Sequence, residues 1–153
     1  MQIDVLLLSG GADSIYLYNK YKYDKYIFFN YSQKHIAHEL NVLEDLNLKN
    51  IDIIDIDDLK QDKKGFYYSR NLKFVLNVLD SFKEDISNLN SITFGTNKDD
   101  THPDNNREFF NLLESLIEKS YKQKIKLKTP LKDIHKKDIN NYLDKKNIRY
   151  YTD

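Results

Sequence analysis

The chain of 153 residues has the length of one domain, and its 40% hydrophobic and 31% charged content is typical of a globular protein. Its 24 basic and 24 acidic residues balance, so the charge does not indicate a broad nucleic-acid footprint, although it allows a local basic patch. No apolar stretch approaches the roughly 18 residues of a membrane span, and the N-terminus lacks a signal-peptide pattern. We therefore expect a cytoplasmic protein with no membrane partner.

The complete absence of cysteine narrows the chemistry further. Without a thiol the chain forms no disulfide and no thiolate zinc site, and it carries no persulfide. We expect no zinc.

The first predicted element is a buried strand at residues 3–8, followed by a glycine turn and a helical pattern. The turn, Ser9–Ser14, reads S-G-G-A-D-S and lacks the lysine of the common P-loop. Its two glycines let the backbone approach a phosphate closely and tolerate a positive φ. Its two serines offer hydroxyl donors, and the helix start offers free N–H groups to an anion. Asp13 is explained as a magnesium ligand or as a helix cap.

Apolar runs bounded by turn residues predict four further strands, at residues 25–30, 51–56, 91–95 and 124–128. The segments between them show apolar residues at helical spacing. The second helix carries Ile36, Leu40 and Leu43. The third helix follows a predicted N-cap at Ser69 and is expected to bury Leu72, Val75, Leu76, Leu79 and Phe82. The fourth is expected to bury Phe109, Leu112, Leu113, Leu116 and Ile117, and a last helix covers about 135–146.

This alternation predicts an α/β fold, in which one domain over residues 1–153 holds a five-stranded, mainly parallel sheet with helices on both faces. The polar clusters follow the carboxyl ends of predicted strands, as at Tyr31–His35 and at 96–106. Ligands bind at that edge in open α/β sheets. The clusters are therefore expected to form one site.

Several motifs then carry a family resemblance. The Ser9–Ser14 turn resembles the pyrophosphate loop of the ATP-pyrophosphatase, or PP-loop, superfamily, whose fold is Rossmann-like and adenine-nucleotide α-hydrolase-like. Four further motifs extend the resemblance, from Leu6 to about Asp138, to the 7-cyano-7-deazaguanine synthase family of queuosine biosynthesis. They are Y-S-Q-K-H at Tyr31–His35 with Glu39, R-N at Arg70-Asn71, Gly95…Asp100…Pro103-Asp104…Glu108-Phe109, and Thr129-Pro130-Leu131 with Lys136.

The chain also departs from this family's pattern. The family's four-cysteine zinc knuckle has no counterpart in the 153 residues. Ser32 stands where the family has a glycine, and Tyr68-Ser69 replaces a Pro-Gly pair. The loop at 100–104 is shortened, and Arg107 comes one place later than the family's arginine. The shortened loop lies where the family's substrate specificity is expected.

The resemblance implies an ATP-dependent carbon–nitrogen ligase that forms AMP and pyrophosphate and turns 7-carboxy-7-deazaguanine and ammonia into a nitrile. The implied cofactors are ATP and Mg²⁺, with Asp13 as the metal ligand. The implied catalytic residues are Asp13, Arg70 and Lys136. The residues implied to bind ATP are Leu8, Ser9, Gly10, Gly11, Asp13, Ser14, Arg70 and Gly95. Those implied to bind the substrate are His35, Asn71, Asp100, Asp104 and Arg107.

Alternatives remain open at the level of residues and of function. His35 also suits a helix cap and Lys136 a surface position, while Phe28 and Tyr31 suit either an adenine slot or the core. The chain is alternatively a PP-loop enzyme that adenylates another acceptor, or a non-catalytic nucleotide-binding subunit. The expected partner is a deazaguanine-like carboxylate, with a homodimer as a further possibility and no extended nucleic-acid surface.

Overall fold

In the computed structural model, which describes residues 1–152, one five-stranded sheet has the strand order β3-β2-β1-β4-β5. The strands are β1 (Ile3–Leu7), β2 (Lys25–Asn30), β3 (Ile51–Asp55), β4 (Leu89–Thr93) and β5 (Lys126–Lys128). Every neighbouring pair is parallel, so the carboxyl ends of all five strands lie at one edge. The predicted parallel α/β fold is confirmed.

Five α-helices cover the two faces of the sheet. They are α1 (Ala12–Lys20), α2 (Ile36–Glu44), α3 (Arg70–Ser81), α4 (Arg107–Tyr121) and α5 (Lys136–Lys145), with a short 3₁₀ helix at Ile86–Asn88 before β4. Helices α3 and α4 pack on one face, and α1, α2 and α5 pack on the other. None of the helices within residues 1–152 combines the length and the apolar content needed to cross a bilayer.

The central strand β1 explains why two cores exist. Val5 points into the core under α3 and α4, whereas Leu6 points into the core under α1 and α5, and both are fully buried. Successive side chains of a strand point to opposite faces, so a strand covered on both sides is expected to be mainly apolar. The run Val5–Leu8 meets that expectation.

The predicted buried stripe of α4 is partly wrong. Phe110 is fully buried, whereas Leu112 and Leu116 are 66% and 59% exposed. The helix buries Phe110, Leu113 and Ile117, which lie three and four residues apart on one face, and a neighbour in sequence lies about 100° around the helix. In α3 the prediction is wrong for Leu76, which is 44% exposed, whereas the helix buries Val75, Val78 and Leu79.

The start of α3 also differs from the prediction. Ser69 occupies the N-cap position, but its φ is 57° and its side chain makes no capping hydrogen bond. A capping serine normally has an extended backbone, which aims its hydroxyl at the first turn. Ser69 therefore turns the chain into the helix without capping it.

Candidate active site

A cavity of about 250 Å³ opens at the carboxyl ends of β1, β2 and β4. Strand β1 has β2 on one side and β4 on the other, so the connections leave the sheet in opposite directions there. Such a switch point leaves a crevice that helices do not fill. The cavity floor includes Ile27, Phe29 and Phe94, and its rim is polar.

The glycine turn after β1 is held by its own hydrogen bonds. The Ser14 hydroxyl donates to the carbonyl of Ser9 at 2.7 Å and accepts from the Ser9 N–H at 2.9 Å. The Gly11 N–H donates to the Ser9 hydroxyl oxygen at 3.1 Å. These bonds shape the turn, and the first-turn N–H groups of α1 are the donors that a helix leaves for an anion.

Gly10 is required by close packing and not by its backbone angles. A Cβ on Gly10 would lie 2.7 Å from the Cα of Glu39 and 2.8 Å from its carbonyl oxygen, so α2 passes directly behind the turn. Neither Gly10 nor Gly11 has a positive φ, which corrects the prediction that the turn uses that freedom. On the other side, the Tyr151 N–H donates to the Gly10 carbonyl at 2.5 Å.

Gly95 permits a second close approach, between the end of β4 and the start of α1. A Cβ there would lie 2.9 Å from the Cβ of Asp13. The contact brings the loop after β4 against the first turn of α1. Asp13 therefore faces the cavity from between the two strands that flank the switch point.

The Asp13 carboxylate is half-buried and has two partners. Lys136 Nζ lies 3.1 Å from Oδ2, and the Asn97 amide nitrogen lies 3.2 Å from each carboxylate oxygen. Burial raises the pKa of Asp13, and the charge and hydrogen bond of Lys136, together with the hydrogen bond from Asn97, oppose that rise. Nearby Asp100 raises the pKa of Asp13 further. Lys136 and Asn97 thus favour the charged form of the carboxylate, whereas burial disfavours it.

Lys136 is positioned by a contact between two loops. The Asp99 carboxylate accepts from the Lys136 backbone N–H at 2.9 Å and lies 2.9 Å from Nδ1 of His135. The pKa of Asp99 is lowered chiefly by the hydrogen bond from His135. The Lys98 N–H also donates to the carbonyl of Ile134. These bonds join the loop after β4 to the start of α5.

The start of α3 supplies the opposite wall of the cavity. Arg70 lies beside Tyr31, whose pKa is raised chiefly by burial and lowered in part by the Arg70 charge. The buried Asn71 donates its amide to the Asp104 carbonyl at 2.8 Å and to Asn105 Oδ1 at 3.0 Å. Asn71 thus holds the polar loop 96–106 against α3.

The structure brings most of the predicted site residues together. Those that line the cavity are Leu8, Ser9, Asp13, Ser14, Arg70, Asn71, Gly95 and Asp100. Lys136 reaches it through Asp13. Phe28 and Tyr31 line it as well, although Phe28 is only 1% exposed and belongs mainly to the core.

Three predicted substrate-binding residues lie outside the cavity lining. The Arg107 guanidinium donates to the Leu127 carbonyl at 2.7 Å and pairs with Glu114 at 3.1 Å, which ties α4 to β5. The Asp104 carboxylate accepts from the Asn71 backbone N–H. The His35 ring lies 5.4 Å from the Tyr151 ring and makes no side-chain cap for α2.

Asn97 and Gln33 are among the residues that the sequence reasoning did not assign to the site. Asn97 lies in the flagged loop after β4, is 5% exposed and donates to Asp13. Gln33 is buried, accepts from the Tyr31 N–H at 2.9 Å and donates to Glu39 at 2.8 Å, so it shapes the turn after β2. Both lie within or beside the quoted motifs, and that position was the available signal.

The residues present fit a magnesium ion bound together with a nucleotide. Within residues 1–152 no group of three or more His, Cys, Asp or Glu side chains is arranged to hold a metal. Magnesium bound with a nucleotide commonly takes only one or two protein carboxylates, with phosphates and water as its other ligands. Asp13, at the turn and beside Asp100, is the carboxylate suited to that role.

The comparisons with solved structures define the class of the fold. The chain is similar to the U34-tRNA thiolase NcsA from Methanococcus maripaludis, solved with its 4Fe-4S cluster, with a TM-score of 0.59 and 17% identity. That match covers 99% of the present chain and 59% of the thiolase. A predicted subunit of a tRNA methyltransferase from Methanocaldococcus jannaschii matches with a TM-score of 0.52 and 17% identity, over 95% of this chain and 76% of that one. The chain therefore shares the α/β fold of these two structures.

The family follows from the sequence model. Residues 49–152 match the model of the queuosine biosynthesis protein QueC, and the chain belongs to this family. The matched range starts after the glycine turn, so the family model does not cover the turn. The interpretation of the turn depends on its motif and its geometry. No curated protein sequence matches the chain. The chain spans 59% of the length of the thiolase and contains no cysteine, so none of its residues ligates a cluster through a thiolate.

Proposed function

We propose that this protein is an ATP-dependent ligase that forms AMP and pyrophosphate, with a reaction of the 7-cyano-7-deazaguanine synthase type. One observation carries the proposal. The cavity at the switch point places the Ser9–Ser14 turn, Asp13 and Arg70 around a single volume. Membership of the QueC family and the PP-loop fold support an ATP-utilising enzyme.

The proposed chemistry solves a specific problem. A carboxylate is a poor electrophile, because its charge is delocalised and its leaving group would be oxide. When a carboxylate oxygen attacks the α-phosphorus of ATP, pyrophosphate leaves and an acyl-adenylate forms. Ammonia then displaces AMP to give the amide. A second adenylation, on the amide oxygen, lets the amide lose that oxygen with AMP as it becomes the nitrile.

The residues of the site have matching tasks. The first turn of α1 receives the phosphate charge through its N–H groups, and each such donor is worth about 3–4 kcal/mol in the transition state. Arg70 offers a planar, permanently charged donor on the opposite wall. Lys136, which pairs with Asp13, would neutralise negative charge on the phosphate oxygens. A magnesium ion on Asp13 would spread the charge that develops on the pyrophosphate.

The acceptor would lie between the apolar floor and the loop after β4. Asp100 lines the cavity, and its Oδ2 accepts from the Asn97 N–H at 2.9 Å, which fixes the orientation of the carboxylate. A carboxylate accepts two N–H bonds from the amidine-like edge of a guanine analogue. Asp100 is thus the better of the two predicted aspartates for this edge, because Asp104 is directed to α3.

A second candidate is a PP-loop enzyme that adenylates a different acceptor. Three of the five residues implied to hold the deazaguanine, His35, Asp104 and Arg107, lie outside the cavity lining, and this favours the second candidate. A non-catalytic nucleotide-binding subunit is the third possibility. All three candidates share the glycine turn, and they differ in whether bound ATP is cleaved and in which acceptor is adenylated.

The test is pyrophosphate release from magnesium-ATP with a panel of acceptors. Release that depends on 7-carboxy-7-deazaguanine and ammonium supports the first candidate, and release with another acceptor supports the second. Binding of ATP without release for any acceptor supports the subunit. The Asp13→Asn variant is expected to abolish release and keep its far-ultraviolet circular dichroism, and full activity in that variant would remove the role of Asp13.

A further inference from the structure

The zero net charge hides a strong segregation along the chain. Residues 119–137 hold eight lysines and a single acidic residue, Asp133, so the rest of the chain carries the compensating negative charge. This segment runs from the end of α4 through β5 to the start of α5. The positive charge is therefore concentrated along one edge of the sheet.

The pleat of β5 sorts this charge onto one face. Ile125 and Leu127 are buried in the core under α4, whereas Lys124, Lys126 and Lys128 are exposed. Alternate residues of a strand lie on the same side, about 6.5 Å apart. The register pairs Lys126 with Ser91 and Lys128 with Thr93, and since both of these partners are buried, the exposed charge stays on β5.

A groove of about 310 Å³ lies beside this strip. Lys128 forms one wall, and Tyr21 and Lys22 from the α1–β2 connection form another. The Tyr21 side chain is 51% exposed. Asp4 is the acidic residue in the lining, and its Oδ1 accepts hydrogen bonds from Asn90 at 2.8 Å and from Ser91 at 2.5 Å.

We propose that this face, defined as Tyr21, Lys22, Lys124, Lys126 and Lys128 and called the β5 basic face, binds single-stranded nucleic acid. Lysines at every second position of β5 and of the residues just before it suit a phosphate backbone, and the exposed Tyr21, in the groove with Lys128, suits a stacked base. Lysine is depleted at protein–protein interfaces, which argues against a protein partner. Lysines on an edge strand also prevent sheet-to-sheet pairing, but that role does not explain Tyr21 and Lys22, which lie outside β5.

The experiment is fluorescence anisotropy with a labelled single-stranded oligoribonucleotide of mixed sequence, titrated at several salt concentrations. The test variant combines Lys124→Gln, Lys126→Gln and Lys128→Gln. Each lost phosphate contact is expected to reduce the slope of log K against log salt by about 0.7. Three contacts therefore reduce the slope by about 2 and weaken binding roughly a hundredfold near 0.1 M salt.

A matched control removes the same charge elsewhere. Lys60, Lys63 and Lys64 are exposed in the loop after β3, the strand at the opposite edge of the sheet. Their triple glutamine variant is expected to keep the native slope of log K against log salt. Tyr21→Ala is expected to weaken binding roughly tenfold at an unchanged slope, because stacking involves no counterions. Equal slopes in the two triple variants, or no binding by the native protein at low salt, would overturn the proposal.

Two further readouts separate this proposal from others. Polyglutamate that competes as well as RNA of equal charge, with no effect of Tyr21→Ala, would overturn it in favour of an acidic protein partner. The residues of the β5 basic face lie outside the cavity lining, so pyrophosphate release with a small-molecule acceptor is expected to be unchanged in the test variant. Failure of this proposal is therefore distinguishable from failure of the proposed ligase.

Discussion

Two serines hold backbone conformations that favour glycine. Ser32 has a φ of 59° and Ser69 a φ of 57°. Both stand where the motifs of the resembled family have glycine, at the turn after β2 and before α3. Each turn delivers a cavity residue, Tyr31 in one case and Arg70 in the other. The left-handed conformation is thus a requirement of the site geometry, and here a side chain is accommodated at a cost of about 1–2 kcal/mol.

Replacing Ser32 or Ser69 by glycine is expected to raise the free energy of unfolding by about 0.5–1 kcal/mol. The relief of backbone strain exceeds the entropy that glycine adds to the unfolded chain. Chemical denaturation measures the change. Ser115→Gly, in the middle of α4, is the control and is expected to destabilise by a similar amount. A loss of stability in Ser32→Gly would contradict the strain argument.

Asp13 provides a pH-dependent prediction. Its pKa in the free protein is expected above the ordinary 3.8, because burial disfavours the charged form. A raised pKa means that protonated Asp13 contributes stability below pH 3.8, which is lost as the pH rises through the folded-state pKa. Lys136→Met is expected to raise this pKa further, since the cation that opposes burial is gone.

Carboxyl-carbon NMR titration measures this shift directly. The control is Lys137→Met, which removes the neighbouring exposed lysine and is expected to leave the Asp13 titration unchanged. An Asp13 pKa that is the same in the native protein and in Lys136→Met would show that the ion pair is absent in solution.

At the scale of elements, the rotation of each helix about its own axis is fixed by which apolar stripe packs against the sheet. Helix α4 buries Phe110, Leu113 and Ile117 and leaves Leu112 and Leu116 in solvent. Both sets have helical spacing, so periodicity alone did not choose between them. The choice is made by the docking of α4 next to β5, where Arg107 bonds the Leu127 carbonyl and Glu114 accepts from the Leu127 N–H at 2.7 Å.

A matched pair of leucines in α4 tests that orientation. Leu113→Ala is expected to cost about 2–5 kcal/mol, because it opens a cavity in the core. Leu112→Ala is expected to change stability by less than about 0.5 kcal/mol, because the side chain is exposed. Denaturant midpoints measure both, and similar losses in the two variants would place α4 in a different rotation.

At the scale of the whole molecule, the site is assembled from segments far apart in sequence. Asp13, Asn97 and Lys136 come from the start of α1, the loop after β4 and the start of α5, and they meet at one carboxylate. A nucleotide in the cavity would contact both sides of the switch point. Ligand binding is therefore expected to stabilise the fold as a unit.

Magnesium-ATP at a hundred times its Kd is expected to stabilise the protein by about 2.7 kcal/mol. That corresponds to a rise in Tm of roughly 5–10 °C for a domain of this size. Arg70→Ala is expected to lose most of the rise, whereas Arg149→Ala keeps it, because Arg149 pairs with Asp45 outside the cavity. An unchanged Tm for the native protein in magnesium-ATP would contradict the nucleotide site.

Much of this architecture was predictable, because the evidence is local. The five strands and the glycine turn were readable since apolar runs, turn residues and helix starts act over a few positions. The carboxyl-end clusters at Tyr31–His35 and 96–106 predicted one site, and Asp13, Arg70 and Asp100 do line one cavity. The basic segment at 119–137 was also readable, but a whole-chain net charge averages it away.

The sequence by itself determined the parallel α/β fold, the PP-loop resemblance and the edge of the sheet at which the cavity lies. Only the tertiary structure decided that Arg107 ties α4 to β5 and that Asn97 and Lys136 share the Asp13 carboxylate. It also decided that position 10 needs a glycine because α2 packs against its Cα, and not because its backbone has a positive φ. The reason is that such contacts depend on how helices rotate and approach one another, and residue spacing along a chain does not specify distances between segments folded together.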